Sequence, residues 1–331
     1  FGGGRVIYRW RHAEPALAVT PQWDARQRRQ RALALGIVFG VLTLVYLLLV
    51  WVRPTGVFWS LDEGGKLLYI QNVLRTNSAS GPLLYPGRAL DPALAYVPLF
   101  YWAQQGDQLY SWWPPAFPLL TLPLYQLFGW IGLYVLPAVG GAGSALLAGL
   151  IAERLAPADA VLAQRSGPGG LAVIVAIIVG VATPVLFYAT MFWEHTPSLA
   201  LVLLALWLAI RSAQENRLWM AVVAGAAASL AGLLRTEQMF AALGAVLVLL
   251  AWRTRAGIAM ILAFAVTTLG WLAFNFALMG APFSRQWGTN NSVMTNELFP
   301  GLREAGLLYI PYLLFNVPKI EAYDVGVPLL A

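Results

Sequence analysis

The chain has no cysteine, which excludes disulfide bonds and leaves its redox surroundings unread. Charge is scarce as well: Asp, Glu, Lys and Arg make up 11% of 331 residues, against 59% hydrophobic residues and a mean hydropathy of +0.67. Most of such a chain dissolves only in a bilayer, so a soluble globular domain is excluded. Neither heptads nor any period of 20–50 residues is present, which rules out coiled coils and solenoids. The small-residue stretches Gly140-Gly-Ala-Gly-Ser144 and Ala224-Gly-Ala-Ala-Ala-Ser229 lack a preceding strand and a phosphate-binding lysine. They are therefore not nucleotide loops; they suit close helix–helix packing. The net charge of +6 has its densest part in Arg26-Gln-Arg-Arg-Gln-Arg31, directly before an apolar run and without interleaved aromatics. That placement excludes a nucleic-acid partner and points to cytoplasmic orientation and contact with anionic lipid. The first apolar run is long and follows a polar segment, so it is not expected to be a cleavable signal peptide.

A membrane-spanning helix needs about 20 apolar residues. Runs of that kind lie near 33–52, 131–152, 170–190, 197–210, 218–234, 236–252 and 256–279. Two are short, and 218–252 could be one helix broken by Arg235. The fold expected is therefore an all-α polytopic bundle of six or seven spans. Residues 1–32 form a cytoplasmic N-terminal segment, and 33–279 the transmembrane domain. Residues 280–331 form an outer segment carrying Pro282, Arg285, Trp287, Asn290, Asn291 and Asn296. Because the chain opens on Phe1 and stops at Ala331 just after an apolar stretch, further sequence is expected at both ends.

Between the first two runs, residues 53–130 are too polar to span and too apolar for a free linker. Trp59, Tyr69, Tyr85, Tyr96, Tyr101, Trp102, Tyr110, Trp112 and Trp113 suit the headgroup level. The segment reads as a structured outer loop with interfacial helices. One opens at Ser60-Leu-Asp-Glu63, a capping-box pattern. Another covers 114–128, proline-rich and too short to span, and is expected to lie in the interface. With 114–128 not crossing, Arg154, Arg165, Arg211, Arg217, Arg253 and Arg255 all fall on the cytoplasmic side, as the positive-inside rule asks. Had it crossed, those loops would alternate wrongly.

The same alternation brings three charged interruptions to the outer side: Asp62-Glu63, Glu194-His195 and Arg235-Thr-Glu237. An ionisable group at a helix centre costs about 2.5–3.5 kcal/mol, so retained ones suggest a site. Each has a bland account. Asp62 and Glu63 can be first-turn caps, which on local sequence is the stronger reading; the alternative is a carboxylate serving as general base or holding a divalent metal. Glu194-His195 can be a solvated loop or a cap before Pro197; the alternative gives a second carboxylate and a histidine bonding a phosphate or sugar hydroxyl. His195 has no neighbours at metal-ligand spacing. Arg235 and Glu237, two apart, would point to different faces of a helix, so an ion pair is awkward. The run is expected to break the helix and leave both to line a pocket, where Arg235 suits a phosphate.

In order, these motifs resemble the GT-C class of membrane glycosyltransferases, which includes protein O-mannosyltransferases and aminoarabinose transferases. The resemblance spans about residues 33–290. It rests on Asp62-Glu63, Tyr110-Ser-Trp-Trp-Pro-Pro-Ala-Phe-Pro-Leu-Leu through Leu127-Phe-Gly129, Trp193-Glu-His-Thr-Pro197, Gly232-Leu-Leu-Arg-Thr-Glu237 and Asn275-Phe-Ala-Leu-Met-Gly-Ala-Pro-Phe283. It implies transfer of a sugar from a polyprenyl-phosphate donor at the outer face of a bacterial inner membrane. Asp62, with Glu63 beside it, would then match the catalytic carboxylate, Glu194 a second acidic residue, and Arg235 a cation near the lipid phosphate. His195 and Glu237 fall among the substrate-binding positions. No cofactor is fixed by this; a divalent metal stays open. Where related enzymes often carry aspartate this chain has Glu194-His195, and it lacks the later spans or outer domain that often complete them. Two alternatives stand beside the transferase: a non-catalytic subunit with protein partners in a larger membrane complex, and a secondary transporter. The latter is disfavoured because the charges gather at one face rather than at the midplane between inverted repeats.

Overall fold

The computed structural model describes residues 24–94, 102–105, 108–111, 113–156, 167, 169–235 and 237–280. The expected outer segment beyond 280, most of the N-terminal segment, Tyr96, Tyr101, Trp112 and Arg165 lie outside them. The described chain is overwhelmingly helical and divides into two compact units, 1–70 with 116–272 and 71–115 with 273–331.

The first unit opens with α1 (Ala25–Trp51), started by a full capping box in which Asp24 Oδ1 accepts from Gln27 N at 2.7 Å and Gln27 Oε1 accepts from Asp24 N at 3.0 Å. Its buried positions Leu35, Leu42, Tyr46 and Val50 form one stripe, while Leu33, Ile37, Val41, Leu44 and Leu48 are more than half exposed. An apolar outer surface of that kind has lipid, not water, as its natural neighbour. After α2 (Leu61–Thr76), the chain forms α3 (Ala116–Phe128), a 3₁₀ turn over Gly129–Ile131, and α4 (Gly132–Leu155). Gly129 has φ +58°, a left-handed conformation that stops α3 and separates it from α4.

Next come α5 (Gly170–Ala182) and α6 (Val185–Ala189), split at Thr183-Pro184, then α7 (His195–Glu215). The sequence reading had one run over 170–190; Pro184 lacks the N–H to continue the ladder, and Thr183 Oγ1 caps the break by accepting from Val185 N at 3.2 Å. α8 (Leu218–Leu234), α9 (Gln238–Trp252) and α10 (Thr254–Met279) complete the series. Among the described residues, four stretches are long and apolar enough to cross a membrane: Ala25–Trp51, Ala116–Leu155, His195–Glu215 and Thr254–Met279; α5, α8 and α9 are shorter apolar helices.

Two alanine-rich cores result. Leu42, Tyr46, Ala138, Ala142, Ala176 and Ala189 join α1, α4, α5 and α6. Ala209, Met220, Ala224, Ala228, Leu249 and Met260 join α7, α8, α9 and α10. The bridge between them is α4 on α7. A Cβ at Gly140 would stand 2.5 Å from Pro197 N, so only glycine lets the backbones approach this closely. There Thr196 Oγ1 donates to Pro137 O at 2.8 Å and Ser144 Oγ to Thr196 O at 3.3 Å. The second glycine-rich stretch packs likewise: a Cβ at Gly225 would lie 2.2 Å from Met260 O.

Ion pairs fix which helix ends meet. Arg31 donates to Glu153 Oε2 at 2.6 Å, and Arg154 to Glu215 Oε1 at 2.9 Å, so the start of α1 and the ends of α4 and α7 share one end. At the opposite end Phe192 meets both Phe117, with ring centroids 5.3 Å apart, and Tyr134, 6.4 Å away. The starts of α3 and α4 therefore lie at the same end.

The second unit is built around Asn72, whose amide donates to Pro82 O at 3.1 Å and accepts from Leu84 N at 2.9 Å. It includes an antiparallel hairpin, β1 (Trp102–Gln105) and β2 (Gln108–Ser111), with Trp102 opposite Ser111. Leu83 N joins it by donating to Leu109 O at 2.7 Å.

Candidate functional site

At the Phe192 end, a buried lysine is the centre of the charge. Lys66, 1% exposed, sits one helical turn after Asp62 on α2, so both side chains share a face. Its Nζ lies 3.4 Å from Asp62 Oδ2 and 2.5 Å from Glu194 Oε2, with the Phe117 ring 5.8 Å away. Glu194 Oε1 in turn stands 3.8 Å from Arg235 Nη1. The three charged interruptions are thus joined in one chain, Asp62–Lys66–Glu194–Arg235, within the first unit.

The capping question divides the acidic pair. Glu63 is fully buried; its Oε2 accepts from Trp59 N at 2.9 Å and Ser60 N at 3.3 Å, and its Oε1 from Phe192 N at 2.8 Å. Glu63 therefore forms the N3 half of a capping box and ties the start of α2 to the turn before α7. The other half is not made: Ser60 Oγ is buried with no hydrogen-bond partner among the described residues. Asp62 is not the cap; its side chain is 31% exposed and directed to Lys66.

Glu194 takes the N-cap backbone position of α7 without capping it. Burial alone would push its carboxyl up, but the Lys66 ammonium and its hydrogen bond prevail and hold Glu194 below the ordinary 4.5, in its ionised form.

Arg235 terminates α8 in an extended conformation, φ −145° and ψ 111°, so the helix breaks as the run of polar residues predicts. The break also changes the ion-pair argument. On a continuous helix Arg235 and Glu237 would diverge; across the break Arg235 Nε reaches Glu237 Oε1 at 2.5 Å. Its Nη1 lies 2.6 Å from His195 Nε2. A guanidinium has no acceptor, so the ring nitrogen meeting it presents a lone pair. His195 stacks on Tyr188, with centroids 4.5 Å apart and planes 6° apart, and Trp193 closes the other edge at 4.9 Å. Glu237 is the most exposed member of the group.

Two participants were missed in the sequence. Lys66 left one signal, its i,i+4 spacing from Asp62. Arg53 left none: it reaches over the Tyr134 ring, 5.4 Å from its centroid, and donates to Thr190 O. Among the described residues, no three His, Asp or Glu side chains converge as metal ligands, since Lys66 lies between Asp62 and Glu194. No protein-family model, curated protein or solved structure matches the chain.

Proposed function

We propose that the first unit is the core of a lipid-linked glycosyltransferase, with its reaction centre at the Asp62–Lys66–Glu194–Arg235 end. The observation that carries the reading is the meeting of three sequence-remote charged interruptions around Lys66 at one end of an apolar bundle. Charge asymmetry supports the orientation. The opposite end has nine described arginines, Arg26, Arg28, Arg29, Arg31, Arg154, Arg211, Arg217, Arg253 and Arg255, against the carboxylates Asp24, Glu153 and Glu215. By the positive-inside rule that end is cytoplasmic and the candidate site is external; a bacterial inner membrane is what the family resemblance implies. Residues 114–128 then lie in the outer interface, and six or seven helices cross.

In this reading Asp62 is the general base. As the acceptor oxygen or nitrogen bonds to the anomeric carbon, its proton passes to the Asp62 carboxylate. The bond from that carbon to the phosphate oxygen breaks with its electron pair, and the polyprenyl phosphate leaves. Arg235, exchanging Glu237 for the phosphate, stabilises the charge that grows there. Lys66 holds the Asp62 and Glu194 carboxylates side by side, and His195 with Trp193 forms an aromatic edge for the sugar. Glu63, its oxygens already taken by three backbone N–H groups, positions α2 beside the base.

The test is sugar release from a polyprenyl-phosphate sugar by Asp62→Asn and Arg235→Ala. Asp62→Asn abolishes transfer with donor binding retained. Arg235→Ala weakens donor binding and slows transfer together, since its partner charge grows in the transition state. Full activity in Asp62→Asn removes Asp62 from the mechanism. One observation favours a second reading, a non-catalytic subunit: Arg235 and Glu194 are already paired within the protein, as in a structural latch. Turnover by the unaltered chain separates the two.

A further inference from the structure

The arginine-rich end carries a cleft unrelated to the charges around Lys66. It lies where the α7–α8 turn meets the start of α10, and has a volume of 490 Å³. Its walls include Ser212, Arg217, Trp252, Arg253, Thr254 and Arg255, and among the described residues no carboxylate lines it. The nearest acid, Glu215, is held elsewhere: Arg211 grips both its oxygens at 2.8 and 3.0 Å and Arg154 donates at 2.9 Å, leaving Arg217 at a loose 3.8 Å. Arg253 is held by a single 3.3 Å hydrogen bond to Ala213 O, and Arg255 has no ion-pair or hydrogen-bond partner among the described residues. Three arginines thus line one polar volume with little internal compensation.

The surroundings say what kind of anion fits. Immediately beyond the cleft the surface is apolar: Leu218 and Trp219 on α8 and Ile258 and Leu262 on α10 are each about half exposed or more. A ligand occupying both regions has a phosphate for the arginine forks and hydrocarbon for the helix faces. We propose that this cleft is a binding site for the phosphodiester headgroup of an anionic phospholipid, its acyl chains lying along α8 and α10. The site is independent of any reaction at the opposite end.

The experiment titrates the purified full chain, in neutral detergent, with fluorescent short-chain phosphatidylglycerol and separately with phosphatidylcholine. The expected result is a clear preference for phosphatidylglycerol. Arg253→Gln with Arg255→Gln weakens that binding about 10- to 30-fold, taking each arginine at its usual contribution near an anionic surface. Arg28→Gln with Arg29→Gln removes the same charge from the exposed start of α1 and changes it less than about twofold. Arg255→Gln alone, at an exposed side chain without a described partner, leaves the fold intact and still weakens binding severalfold. Equal losses in the two double variants would reduce the effect to diffuse surface charge and overturn the site. Equal binding of the two lipids overturns it as well. Displacement of phosphatidylglycerol by millimolar inorganic phosphate would reassign the cleft to a free phosphate ion.

Discussion

Lys66 Nζ lies 2.5 Å from Glu194 Oε2, joining two residues 128 positions apart in a pair of which the lysine is 1% exposed. Neither partner is stable there alone. An uncompensated buried charge destabilises by about 3–5 kcal/mol, whereas replacing both partners by apolar residues of similar volume is often neutral or better. Lys66→Met should therefore lower the thermal midpoint in detergent by several degrees, and Lys66→Met with Glu194→Leu should recover most of it. Additive losses in the double variant would show that the two residues do not act as a pair.

The same pair sets a pH dependence. Glu194 titrates below its ordinary 4.5, so its contribution to stability is complete above that value and is lost as pH falls through the lower folded value. Thermal midpoints measured from pH 7 down to about 3 should drop below 4.5 in the native chain. In the Lys66→Met, Glu194→Leu double variant that part of the drop should vanish. An unchanged pH profile would remove Glu194 as its source.

Asp62 and Glu63 are adjacent and should behave oppositely. Glu63→Gln turns an amide N–H₂ toward backbone donors that both oxygens now accept, and should cost about 1–3 kcal/mol of stability. Asp62→Asn touches a part-exposed i,i+4 pair and should change stability by less than about 1 kcal/mol. Parallel melting curves check this. Comparable losses in both would return Asp62 to a structural role.

Glycine substitutions probe the helix contacts. A Cβ at Gly225 would lie 2.2 Å from Met260 O, while one at Gly244 meets nothing within 4 Å. Gly225→Ala should push α8 from α10 and destabilise by about 1–3 kcal/mol. Gly244→Ala should be neutral or stabilise by about 0.4–1 kcal/mol, through the helix and the unfolded chain. Unfolding in mixed detergent ranks the two; equal values would mean that α8 and α10 do not pack at Gly225.

Much of the helical layout was written in hydropathy. The apolar runs at 33–52, 131–152 and 218–234 correspond to α1, α4 and α8 because backbone groups surrounded by apolar side chains are satisfied only within a helix. The break at Arg235 was legible too, since four consecutive polar residues, 235–238, interrupt that pattern. The split at Thr183-Pro184 shows in the sequence only as one proline inside a longer apolar run.

By itself, then, the sequence determined the apolar helices, the glycine-rich contact faces and which end gathers arginine, because these depend on local composition and on chain alternation. Tertiary structure alone decided the partners. Lys66 meets Glu194, Arg53 meets Thr190, and Glu63 reaches Phe192 N, because each depends on the relative height and rotation of helices far apart in sequence. The Arg235–Glu237 pair shows the same division: the sequence predicts a break, but the two side chains meet only once extended backbone at Arg235 turns them together.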